Sequence, residues 1–200
     1  MKILQKAKKS LGQNFLIDKN IINKIINIGN INKSKIIVEI GAGYGNLTTA
    51  LTVAKPKKIF AIEKDKKLFS FLNDKFRNYK NIKIINNDIL NLIRKKNLEK
   101  NVIVFGNLPY NISTQILASL IMLKKWPPWY EVLILMFQKE VANRILAKPH
   151  TKEYGRLSVL SNWRLEIKKH FDVSKNSFFP KPKVDSTLLS FKPKKITRSI

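Results

Sequence analysis

Apolar and polar positions alternate along this chain with two distinct periods. Short continuous apolar runs read as buried strands: Ile36–Ile40, Lys58–Glu63, Ile82–Asn86, Val102–Phe105 and Glu131–Phe137. Between and before them lie stretches with helical spacing. Ile21, Ile22, Ile25, Ile26 and Ile28 form one face, with Asp18 as N-cap and Gly29 as stop. Further helices are predicted from Asn46 to about Ala54, from Ile89 onward, from about Ile112 to Leu123, from Gln138 to Ala147, and from Tyr154-Gly155-Arg156 through about Trp163. A strand over Ile167–Val173 and a closing, alternating strand over Thr187–Phe191 complete the pattern. Buried strands separated by helices predict an α/β fold with a parallel, doubly wound sheet.

The ends of these strands carry the chemistry. Ile36–Ile40 runs into Gly41-Ala42-Gly43-Tyr44-Gly45, a glycine-rich turn that lets a ligand approach the backbone before the next helix begins. The spacing is not the dinucleotide fingerprint, because Asn46 stands where a third glycine would fall. Glu63 closes the second strand twenty residues after Gly43, placed to accept both hydroxyls of a ribose. Asp88 follows the third strand, as a cap for the helix that begins at Ile89 or as a ligand contact. The fourth strand leads into Asn107-Leu108-Pro109-Tyr110. Pro109 fixes its own φ and biases Leu108 towards extended backbone, so the Leu108 carbonyl is aimed. An amide, an aimed carbonyl and an aromatic ring suit a flat heterocycle with an exocyclic amine. Ligands in such sheets bind at the carboxyl ends of the strands, so this rim is the expected site.

Composition narrows the reading. Lys and Arg total 39 against 13 Asp and Glu, a formal charge of +26, which favours a polyanionic partner, nucleic acid first. With 44% hydrophobic residues the chain can build a real core. The absence of cysteine removes disulfides and thiol chemistry. His150 and His170 stand apart from any carboxylate cluster, and no metal is expected. The longest apolar run, Val132–Phe137, is far short of a membrane span, and the basic start lacks a signal-peptide core. A cytoplasmic monomer is expected. Three parts are expected: a basic arm over 1–10, a catalytic domain over 11–193 and a basic tail over 194–200.

Six blocks carry a family resemblance: Gly12–Leu16, Val38–Gly43, Phe105–Ser113, Gln138–Val141, Tyr154–Val159 and Pro182–Ser186. Together, from about residue 7 to 193, they resemble the KsgA-like small-subunit ribosomal RNA adenine dimethyltransferases. The resemblance implies a class I S-adenosylmethionine-dependent methyltransferase fold, Rossmann-like, with a seven-stranded sheet whose last strand is antiparallel. It implies methionine-end contacts from Asn14, Leu16 and Gly41, with Gly43 in the same turn, ribose contacts from Glu63, adenine contacts from Asp88 and a shared role for Asn107. Small-subunit rRNA is the implied partner, dimethylated at N6 on two adjacent adenines near its 3′ end. The Asn107 side-chain oxygen and the Leu108 carbonyl would accept from N6, and Tyr110 and Phe178 would stack on the base. Phe178 lies in a proline-rigidified loop over 178–183, as a core plug or as that stacking plate; the plate is the expectation carried forward. Family members carry a further small helical domain after the closing strand. Erm-type large-subunit methylation, DNA amino-methylation and a non-catalytic RNA-binding role are the alternatives.

Overall fold

The computed structural model describes residues 12–94 and 102–195. The expected basic arm, and residues 196–200 of the tail, lie outside them. In chain order the elements are β1 (Phe15–Leu16), α1 (Lys19–Ile28), β2 (Ile36–Ile40), α2 (Asn46–Val53), β3 (Lys58–Glu63), α3 (Lys66–Phe76), β4 (Ile82–Asn86), α4 (Ile89–Arg94), β5 (Val102–Asn107), α5 (Ser113–Ile121), β6 (Tyr130–Gln138), α6 (Lys139–Leu146), α7 (Arg156–Arg164), β7 (Leu165–Val173), β8 (Phe178–Phe179) and β9 (Ser186–Pro193). Seven strands form one sheet in the order β4-β3-β2-β5-β6-β9-β7. Strands β2 to β6 run parallel to one another, and β9 inserts antiparallel between β6 and β7.

The near-continuous apolar runs are explained by two-sided burial. Every residue of β2 is buried, and β5 is buried up to its last residue. On one face Val38, Val104, Leu133 and Leu135 pack with Ile116, Leu117 and Leu120 of α5 and Ile145 of α6. On the other, Ile37, Ile103 and Phe105 meet Ile22 and Ile25 of α1 and Leu51 of α2. Asp18 caps α1 as expected, accepting from the Asn20 and Ile21 amides at 2.9 and 3.2 Å.

Three details depart from the sequence reading. Helix α3 was not anticipated, although Leu68, Leu72 and Phe76 recur every fourth residue and are its buried stripe. Gly29 ends α1 for a different reason than expected. Its φ is −69°, an ordinary helical value, and the left-handed residue is Asn30. A Cβ on Gly29 would meet Phe105 Cζ at 2.5 Å, so the glycine is there to let the β5 ring pass. The third departure is a two-residue antiparallel ladder, Phe15 opposite Phe179 and Leu16 opposite Phe178, which ties the first block to the last loop.

Candidate active site

Strands β2, β3, β4 and β5 end on one rim, and a cavity of about 170 Å³ opens there. Asn14, Gly41, Gly43, Glu63, Asp88, Asn107 and Leu108 all line it, so seven of the expected site residues meet in one place. Ile40, Ile62, Ile89 and Ile112 supply apolar wall for a flat ring. Leu16 lines a smaller cavity of about 30 Å³ that shares Phe15, Gly41, Gly43 and Asn107 with the larger one.

The glycine turn works through its backbone. Gly41, Gly43 and Gly45 hold φ of 74°, 58° and 73°, which a side chain would strain. The Gly43 amide donates to Glu63 Oε2 at 2.9 Å, and the Asp65 amide donates to Oε1 at 2.8 Å. These two bonds fix the carboxylate at the end of β3 while burial pushes its pKa up. Asn46, standing in place of a third glycine, donates from Nδ2 to the Leu16 carbonyl at 2.8 Å and so ties the 14–16 segment to the turn. Asp88 forms the helix cap that was one of the two roles considered for it. Its Oδ1 accepts from the Leu90 amide at 2.9 Å as a helix cap, its Oδ2 pairs with Lys64 at 2.9 Å, and it lines the cavity.

Asn107 is the last residue of β5, and its Nδ2 donates to the Asn14 carbonyl at 2.7 Å. That bond commits the nitrogen end of the amide and leaves Oδ1 as the end that can accept. Leu108 lines the cavity, and its side chain is buried in the core cluster that holds Ile116 and Leu117 of α5. Tyr110 is half-buried outside the cavity wall, and its hydroxyl lies 2.7 Å from Ser186 Oγ at the start of β9. Burial raises the pKa of this phenol. The Ser186 contact, unremarked in the sequence, joins the Asn-Leu-Pro-Tyr and Pro-Lys-Val-Asp-Ser blocks. Ser186→Ala and Tyr110→Phe are each expected to lower turnover several-fold, and the double variant no further than the worse single one. Additive losses in that cycle would deny the coupling.

Phe178 requires a correction. It is 3% exposed and packs with Leu16, Ile22, Val173 and Leu188 in the core, so it is the plug and not the stacking plate. Successive residues of a strand point to opposite sides, and the ladder with β1 turns Phe178 inward beside Leu16. The outward ring is Phe179, 44% exposed and paired with Phe15, which lines the cavity.

Glu39 was read only as part of a strand. It is fully buried in β2, lines the smaller cavity and accepts from Thr48 Oγ1 at 2.6 Å. Burial raises its pKa from 4.5 to about 8, so the folded protein holds it protonated at neutral pH. Between the ordinary carboxylate range and about pH 8 unfolding releases that proton, so stability falls as pH rises, by up to about 1.4 kcal/mol per pH unit. Glu39→Gln should flatten this slope in urea titrations at pH 5.5 and pH 8; an unchanged slope would assign it elsewhere. Among the described residues no group of three or more His, Asp or Glu is placed to hold a metal, and no helix is long and apolar enough to cross a membrane.

Solved structures of two enzymes share this architecture. A dimethyladenosine transferase from Plasmodium falciparum superposes with a TM-score of 0.79 at 32% identity, over 90% of this chain and 63% of that one. The 23S rRNA methyltransferase ErmE gives 0.74 at 26% identity, over 90% and 70%. Fold and rim define a class I methyltransferase. The ribosomal RNA adenine dimethylase family matches residues 4–198, and a ribosomal RNA small subunit methyltransferase A from Pelagibacter ubique is 51% identical over 94% of this chain and 71% of its own length. The chain belongs to the ribosomal RNA adenine dimethylase family. It spans under two thirds of the Plasmodium chain and a little over two thirds of the Pelagibacter one.

Proposed function

We propose that the chain is an rRNA adenine N6,N6-dimethyltransferase that uses S-adenosylmethionine and acts on two adjacent adenines near the 3′ end of small-subunit RNA, in the cytoplasm, during subunit assembly. The observation that carries the reading is the Asn107 amide, locked by its bond to the Asn14 carbonyl with its oxygen left to accept. The rim fits the cofactor: a fixed, buried carboxylate for a diol, glycines where a Cβ would intrude, and apolar walls for a purine. Asn14, Gly41 and Gly43 would hold its amino-acid end, Glu63 its ribose and Asp88 its adenine. When bound, S-adenosylmethionine supplies a methyl group on an electrophilic sulfonium.

The protein's part is orientation. Adenine N6 is a poor nucleophile because its lone pair is delocalised into the ring. Asn107 Oδ1 and the Leu108 carbonyl accept its two N–H bonds, turn the lone pair out of the ring plane, and stabilise positive charge developing on nitrogen. No side-chain base is needed, because the proton becomes acidic only as the new bond forms. Tyr110, anchored at Ser186, offers one face for the extruded base. The proton displaced from N6 leaves to solvent; after one transfer N6 keeps one hydrogen and a lone pair, so one of the two acceptors still holds it for a second.

Identity of 51% to the small-subunit relative against 26% to ErmE supports the small-subunit target. Labelled S-adenosylmethionine, incubated with undermethylated small and large subunits in parallel, tests the proposal. Label on two adjacent small-subunit adenines is expected. Label on the large subunit would overturn the substrate, and no label with cofactor binding intact would overturn the activity.

A further inference from the structure

We propose that the amino edge of the parallel sheet, the side of the molecule away from the rim, is a second RNA-binding surface that holds phosphates distant from the target adenine. Three lysine-bearing segments, 33–35, 55–58 and 80–83, converge there. The Lys57 amide donates to the Lys35 carbonyl at 2.9 Å, and Lys58 lies opposite Ile36 in the β2–β3 register. The Ile59 amide donates to the Asn81 carbonyl at 2.8 Å, and Asn81 Nδ2 donates to the Pro56 carbonyl at 3.1 Å, which draws the 55–57 and 79–81 turns together. Lys83 lies opposite Phe60 and shares a sheet face with it.

The side chains of Lys33, Lys55, Lys57, Lys80 and Lys83 are exposed, and Arg77 is exposed in the adjoining turn. Against them stand Glu131, which is bonded to Lys35, and Asp74 on the last turn of α3. Around the cavity and the glycine turn stand Glu63, Asp65 and Asp88, the last paired with Lys64. Exposed lysines thus gather behind the site, while the carboxylates gather around it. Tyr79, 45% exposed and propped edge-on against Phe76 at 5.7 Å, sits beside Lys80 and offers a ring for a base or sugar. Cations in an arc with one exposed aromatic suit an RNA backbone. An anionic bilayer would call for an amphipathic helix with a broad apolar face, which these turns do not provide. Strand β2 is five residues long, so the edge lies about 16 Å from the rim, a span that a folded RNA crosses easily while its adenine occupies the site.

This inference rests on the small-subunit RNA reading, and its test separates the two. The variant Lys55→Gln/Lys57→Gln/Lys80→Gln/Lys83→Gln alters only exposed side chains. Its affinity for undermethylated small subunits should fall tenfold or more at about 0.15 M salt, and the slope of log K against log salt should shrink by about two to four. Binding to a short hairpin carrying the target adenines, and the methylation rate at saturating subunit, should stay within twofold. Unchanged subunit affinity and slope would overturn the proposal. So would an equal loss on the short hairpin, or a loss confined to anionic vesicles. Wild-type protein that binds subunits without labelling them would defeat the substrate reading alone, since the affinity comparison still decides the surface.

Discussion

Asn107→Ala is expected to lower single-turnover methylation by about two to three powers of ten. That is the usual cost of removing one preorganised hydrogen-bonding group from a site where charge develops. The substitution deletes two bonds with different consequences. Loss of Oδ1 removes an acceptor felt only as N6 becomes positive, so it acts on turnover. Loss of Nδ2 frees the Asn14 carbonyl, worth about 1 kcal/mol of order in a segment that lines the cofactor cavity, so cofactor affinity should weaken by no more than about tenfold. Asn107→Asp separates the two, since it keeps an acceptor and loses the donor. It should recover part of the turnover and none of the cofactor affinity. Equilibrium cofactor binding and single-turnover label transfer read the two quantities independently. Near-normal turnover in Asn107→Ala would remove the acceptor mechanism.

Glu63→Ala should show the reverse pattern. Two charge-assisted bonds to a ribose, each worth about 1.5–3 kcal/mol, would vanish, raising the cofactor Kd about a hundredfold or more. Once saturated, the variant should transfer methyl at close to the normal rate, because on the proposed reading Glu63 holds the ribose and Asn107 the reacting nitrogen. The Gly43 and Asp65 amides would also lose their acceptor, so thermal unfolding must accompany the titration. Glu63→Gln keeps one carbonyl oxygen and should fall between. A hundredfold loss of saturated turnover with unchanged Kd would mean that Glu63 serves chemistry and not cofactor.

These contrasts show which parts of the molecule were legible in the chain. The sheet was legible because two-sided burial writes itself as unbroken apolar runs, as in Ile36–Ile40 and Val102–Phe105. The rim was legible because the strand ends break that run with residues a core would reject: Gly41, Glu63, Asp88 and Asn107. Helix α3 was written with equal clarity in Leu68, Leu72 and Phe76, but Lys66, Lys67 and Lys75 around that stripe masked its periodicity. Side-chain direction was the hidden quantity. Whether Phe178 or Phe179 faces outward depends on a ladder with residues 15–16, and no local pattern near residue 178 encodes it. The same holds for Asn46, whose reach to the Leu16 carbonyl spans 30 positions, and for Ser186, which meets Tyr110 across 76. The protonated Glu39 was likewise invisible, because its state comes from what surrounds β2 and not from its neighbours in sequence.

The short ladder between residues 15–16 and 178–179 has a consequence for how the site is completed. The Ile17 amide also donates to the Ser177 carbonyl at 2.9 Å, and Ser177 Oγ donates to Asp18 Oδ2 at 3.2 Å. Residues 14–16, which line the two cavities, are thus latched by residues 177–179, more than 150 positions further along the chain. Strands β2 to β6 carry the acids and glycines of the rim, but the 14–16 wall is held in place by residues 177–179, which themselves line neither cavity. On the proposed reading the cofactor site is complete only when these two distant segments meet, so a substitution that loosens 177–179 should weaken cofactor binding without altering a residue that lines either cavity.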